Sequence, residues 1–168
     1  MPEQKCQKQN VGNAGEYYIA SRLSALNFTA TITLGRAEKY DILALSPKGK
    51  LKKLSVKTTQ LNDLRNFPLS IKDESGQSED FFYAFVKLNS FKKEPDFWVI
   101  PSKVVCSVLK STNIKWMKTL DRKGKKHKGS SIRLLDLLHL KRDLINKFYP
   151  KDWNKQVKKY YKNLKQLL

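Results

Sequence analysis

Three side chains in this sequence could share work on a phosphate ester. Glu16, Asp41 and Lys57 lie in the stretches GNAGE, YDILAL and SVKTT. Hydrolysis of a phosphodiester needs an attacking water, neutralisation of charge on the phosphate, and help for the leaving oxygen. Hard divalent cations held by carboxylates supply most of this, and Mg²⁺ or Mn²⁺ suits oxygen ligands. A lysine beside the water can orient it or help to activate it. Two acids and a lysine converging at one end of a sheet are therefore the minimum set.

The elements that must bring them together are legible. In residues 13–27, NAGEYYIASRLSALN, the apolar Ile19, Leu23 and Leu26 recur at i, i+4 and i+7, one face of a helix. Glu16 projects roughly 60° from Ile19 and borders that face. Residues 28–34, FTATITL, are β-branched and read as a strand. Residues 40–59, YDILALSPKGKLKKLSVKTT, read as a hairpin. Its Ser46-Pro47-Lys48-Gly49 suits a type I turn. Alternation puts Leu54 and Val56 on one face of the second strand and Ser55, Lys57 and Thr59 on the other. Asp41 and Lys57 stand at similar distances from the turn, so antiparallel pairing brings them to one end.

Further strands are predicted at residues 67–72, 81–88 and 96–101. FFYAFVKL is apolar enough for a buried sheet position. Helices are predicted at residues 102–110, with Ser102 as N-cap, at 132–148 and at 151–168. In the last, Trp153, Val157, Tyr160, Leu164 and Leu167 form an apolar stripe opposite a lysine-rich face. The order, helix then strands then helices, gives an α/β or α+β single domain.

Each site residue also has a plainer reading. Asn13 three positions before Glu16 fits a capping box. Asp41 could hydrogen-bond backbone at a strand start, and Lys57 could be a solvated edge lysine.

The order of these pieces resembles the PD-(D/E)XK, or restriction-endonuclease-like, nuclease superfamily. GNAGE matches its acidic helix, YDILAL its strand aspartate and SVK its (D/E)-X-K tripeptide. Residues 12–59 carry the likeness best, and 81–110 resemble further strands and a helix of uncharacterised members. The resemblance implies a mixed central sheet flanked by helices, spanning residues 12–110, with a basic helical C-terminal extension over 111–168, all in one domain. It implies catalysis by Glu16, Asp41, Ser55 and Lys57, with Mg²⁺ or Mn²⁺ held by Glu16, Asp41 and the backbone carbonyl of Val56. The departure is Ser55, where the family carries an acid. Serine is uncharged and a poor magnesium ligand. The implied function is a Mg²⁺-dependent DNA endonuclease. The alternative is a nucleic-acid-binding protein whose cutting site has decayed.

Charge points to the partner. The net charge is +19. Residues 1–100 contribute +4 of it and residues 101–168 contribute +15. A field so concentrated attracts polyanions, DNA first and RNA second. Residues 115–128, KWMKTLDRKGKKHK, hold seven Lys/Arg and one Asp. Lys115, Trp116, Lys118, Arg122, Lys123, Lys125, Lys126, His127, Lys128 and Arg133 are the candidate nucleic-acid contacts. Lysine outnumbers arginine, which suits diffuse phosphate contact more than base reading. Two unpatterned cysteines, Cys6 and Cys106, suggest neither a zinc site nor a disulfide framework. No apolar run reaches the roughly 20 residues of a membrane span, and no signal-peptide core is present, so a cytoplasmic location is expected. Cutting two strands needs two sites, which a homodimer would supply; the sequence leaves the oligomeric state open.

Overall fold

The computed structural model describes residues 6–33, 40–60, 66–76, 78–137 and 147–168. These divide between two compact units. The first comprises Met1–Leu64, Asp80–Pro101 and Tyr160–Leu168, and the second Arg65–Glu79 and Ser102–Lys159.

The first unit is built on helix α1 (Lys8–Ser24) and a five-stranded mixed sheet. Its strands are β1 (Thr29–Ile32), β2 (Ile42–Leu45), β3 (Leu51–Thr59), β5 (Phe81–Lys87) and β6 (Asp96–Pro101), in the order β1-β2-β3-β5-β6. Only the β3–β5 pair is parallel; the other neighbours are antiparallel. The hairpin forms as its residues dictate. Gly49 N–H donates to the Ser46 carbonyl at 2.9 Å, and Gly49 takes the positive φ of 75° that closes the turn. β5 sits between two neighbours, and six of its seven residues are buried, which accounts for its unbroken apolar run.

Helix α1 starts earlier than its apolar periodicity, because residues 8–12 carry no apolar repeat to reveal it. It stops where Asn27 turns left-handed, φ 61°, and Phe28 N–H donates back to the Leu23 carbonyl at 3.2 Å. Ile19 and Leu23 are fully buried among Ile42, Leu54, Val86 and Phe97. Leu26, expected on the same face, lies past the helix end and is exposed.

The second unit pairs β4 (Phe67–Ser70) with β7 (Ile132–Leu135) in an antiparallel ribbon. Helix α2 (Ser102–Met117) packs against β7 and against a 3-10 turn at Ile71–Glu74. The Ser102 hydroxyl, expected to cap α2, is instead bonded to Ser78, donating to its carbonyl at 2.9 Å and accepting from its amide at 3.1 Å.

Two helix expectations need correction. Residues 132–135 are a strand. Arg133 and Leu135 are buried while Ile132 and Leu134 are exposed, a period of two created by pairing with β4. The rest of that expected helix, with His139, falls largely outside the described residues. The basic C-terminal helix is also shorter than expected. Helix α3 (Trp153–Tyr160) ends before Lys162, which turns left-handed at φ 49° and donates its amide to the Phe97 carbonyl at 2.8 Å. All five residues of the apolar stripe are buried nevertheless. Leu164 and Leu167 reach the core of the first unit through a second short turn, Lys165–Leu167.

Helix α1 and strand β3 fit closely at Gly15. A Cβ on Gly15 would overlap Thr58 Oγ1 and stand 2.8 Å from its Cγ2 and 2.9 Å from its Cβ. Gly15→Ala should therefore destabilise the protein by about 1–3 kcal/mol, as overpacking does. Thr58→Ala in the same chain should recover part of that loss, because it removes two of the three clashing atoms. Denaturant melts of the two single variants and the double variant measure the coupling. Simple additivity would mean that helix and strand do not meet here.

Candidate functional site

Glu16, Asp41, Ser55 and Lys57 all belong to the first unit. Glu16 lies in the middle of α1, and Asn13 is itself helical, so the capping-box reading of that pair does not hold. Glu16 is half-buried. The residue before it is the Gly15 that meets β3, so the close approach of helix to strand also carries Glu16 to the sheet.

Asp41 stands immediately before β2. The regular ladder runs from Leu45↔Leu51 to Ile42↔Leu54 and then breaks. Asp41 N–H donates to the Leu54 carbonyl at 2.8 Å. Its carboxylate, through Oδ2, accepts the Val56 amide at 2.6 Å, the place a backbone carbonyl would fill if the ladder continued. The plainer reading of Asp41 is thus partly right: one oxygen serves the backbone. Among the described residues the other oxygen has no bond of this kind. In an antiparallel ladder a residue's amide and carbonyl face the same neighbour, so the Val56 carbonyl lies on the edge that faces Asp41.

Lys57 follows on β3, past the last paired residue of β2. It is half-buried, opposite Phe85 on β5. Ser55, opposite Tyr83, is 6% exposed. A carboxylate is therefore missing at a buried position, not at a solvated one.

Electrostatics tie the three charged groups together. The Glu16 carboxyl is raised above its ordinary value of 4.5, first by burial, then by the negative charge of Asp41, and is partly restored by the positive charge of Lys57. Helix, strand start and neighbouring strand thus bring their charges within range of one another. Glu16 and Asp41 are hard oxygen donors that repel each other, an arrangement that a divalent cation relieves. Among the described residues no group of three or more His, Cys, Asp or Glu could hold a metal ion. Two carboxylates and a carbonyl fit one hard cation only if water and substrate complete its shell of six or more oxygens.

Two further residues escaped the reading of the sequence. Gly15 positions Glu16, and the GE dipeptide on the inward side of an amphipathic helix was the available signal. Lys87 lies opposite Thr59 on β5, and alternation from Phe85 places it on the Lys57 face as a second cation. Its signal was a lone lysine ending an apolar strand.

The expected nucleic-acid contacts lie in the second unit. Lys115, Lys118, Arg122, Lys123, Lys125, Lys126 and Lys128 are exposed. Trp116 and His127 stack on each other, with ring centroids 3.9 Å apart and planes at 21°, so one face of the indole is already covered. Arg133 departs from the expectation. It is 7% exposed, ion-paired to Glu74 through Nε, and donates from Nη1 to the Ile132 carbonyl at 3.1 Å. Its Nε and Nη1 are engaged within the β4–β7 unit.

No protein-family model and no curated protein matches the chain. Among solved structures it is similar to a bacterial homing endonuclease, I-Ssp6803I, at 17% identity and a TM-score of 0.48, over 93% of this chain and 95% of that one. A likeness so distant carries no argument about this chain, and the functional reading rests on its own residues.

The raised Glu16 gives a prediction with a definite sign. A carboxyl whose pKa rises on folding binds its proton more tightly in the folded state, so its charge opposes folding above the ordinary value. Glu16→Gln should raise the melting temperature at pH 7. The gain should vanish below about pH 4.5, where the carboxyl is protonated in folded and unfolded chains alike. A lower melting temperature for the variant at pH 7 would contradict the burial and repulsion assigned to Glu16.

Proposed function

We propose that the chain is a metal-dependent endonuclease of the PD-(D/E)XK type that hydrolyses phosphodiester bonds in DNA. The observation that carries this reading is the joint action of Asp41 and Lys57 on Glu16. Glu16, Asp41 and Lys57 come from three elements, and Glu16, raised first by burial, also feels the charge of the other two. Glu16, Asp41 and the Val56 carbonyl would hold Mg²⁺ or Mn²⁺, and a bound ion would supply charge neutralisation on the phosphate. Lys57 orients the attacking water, and Lys87 faces a neighbouring phosphate. The exposed cations of residues 115–128 contact the DNA backbone, through charge more than through base edges.

A second reading is favoured by the buried Ser55. With no third acid there, the same fold would bind nucleic acid without cutting it. One assay separates the two. Plasmid DNA is incubated with the protein and Mg²⁺ or Mn²⁺, beside Asp41→Asn and Lys57→Ala. Asparagine retains an acceptor for the Val56 amide, so loss of cleavage is not loss of fold. On the nuclease reading each variant loses at least about a hundredfold in rate. Wild-type cleavage no faster than the variants with either metal sinks that reading. Cleavage gained by Ser55→Glu alone, in a variant that still melts cooperatively, establishes the decayed site.

A further inference from the structure

The segment between α2 and β7 has one acid among its cations, Asp121, and that acid is occupied. Its Oδ1 accepts the backbone amides of Lys123 and Lys125, each at 2.8 Å. Its own amide donates to the Lys125 carbonyl at 2.8 Å, and its carbonyl accepts the Gly124 amide at 3.0 Å. Gly124 takes a φ of 72°, which a residue with a side chain rarely adopts. Leu120 and Lys126 pair across the base of the turn. Successive amides in such a turn can form a nest for an external anion. Here the nest is filled by the chain's own carboxylate. The side chains of Arg122, Lys123, Lys125, Lys126 and Lys128 remain exposed, and among the described residues none of them makes an ion pair.

We infer that Asp121 is a positioning residue that pre-forms residues 121–126 as a rigid basic tip, and that this tip docks on the phosphate backbone of duplex DNA. This rests on the nucleic-acid reading above. A floppy loop of the same charge would lose its freedom on binding. A tip already closed by four hydrogen bonds loses little, so its cations meet the phosphates at lower entropic cost. Asp121 carries the wrong charge for a DNA contact, and its backbone bonds explain its place among lysines.

The sign of the Asp121 effect is the test. If net charge alone mattered, deleting this carboxylate would tighten binding. The full-length protein is titrated into a fluorescein-labelled DNA duplex in EDTA, and anisotropy is followed across a range of salt concentrations. Asp121→Ala should weaken binding roughly three- to tenfold although it makes the protein more basic. Asp121→Asn retains the acceptor oxygen without its charge, and should bind at least as tightly as wild type. Amide exchange at Lys123 and Lys125 should speed up in Asp121→Ala and not in Asp121→Asn. Binding by Asp121→Ala as tight as wild type overturns the proposal, and so does an Asp121→Asn variant as weak as Asp121→Ala. A Lys125→Ala/Lys126→Ala pair should flatten the salt dependence. If that pair leaves both affinity and slope unchanged, the tip does not touch DNA. The proposal then falls, while the cleavage assay still decides the nuclease reading independently.

Discussion

Helix α1 can lie on β3 because residue 15 has no side chain. Any Cβ there would run into Thr58, so the approach of helix to strand and the identity of that one residue are a single constraint. Much follows from it. Ile19 and Leu23, one and two turns further on, reach Leu54 and the rest of the core at the depth this contact sets. Glu16, adjacent to the contact, is drawn toward the charges of Asp41 and Lys57. The fit has a cost. Thr58 Oγ1 is buried without a hydrogen-bond partner, a loss of about 1–3 kcal/mol in general. Packing of the apolar face offsets it.

The same end of the sheet departs from ordinary folding rules in two other ways. The β2–β3 ladder stops at Asp41, and a side-chain oxygen takes a backbone amide in place of a carbonyl. The Glu16 carboxyl is raised by burial and then by the charge of Asp41, although the chain has abundant cations elsewhere. Local conflicts of this kind are expected where a sequence is constrained by something besides stability. Elsewhere in the first unit the described acids are matched, Asp80 with Lys52. Glu94 joins Tyr18, Arg22 and Lys162, and Asp96 joins Asn89, Lys93 and Tyr161. The contrast sets Glu16 and Asp41 apart from the other described acids of the first unit.

How much of this was legible depended on the range of the interactions. The Ser46–Gly49 turn and strand β6 follow from neighbours in sequence, and both form where the residues put them. The half-burial of Glu16 follows from the helical period. Residues 132–135 were misread because IRLL carries no strand signal strong enough to resist a helical reading; its period of two comes from β4, more than sixty positions away. The break after Tyr160 was hidden for the same reason. The apolar stripe is continuous in sequence, but Lys162 bonds to Phe97 on a strand far upstream. At the candidate site, the convergence of three charges could be argued from pairing and projection. The Gly15–Thr58 contact could not, because it depends on how close two elements lie.

Ser55 bears on affinity as much as on catalysis. A third carboxylate would enlarge the donor set and hold a divalent ion in the free protein. It would also place a further negative charge at a nearly buried position. Serine avoids that cost, and it would leave a divalent ion short of ligands. On the nuclease reading, the missing oxygens then come from the substrate phosphate, so metal and DNA must each strengthen the binding of the other by the same factor. On that reading the site would take up metal together with DNA, and the complex would relieve the repulsion between Glu16 and Asp41.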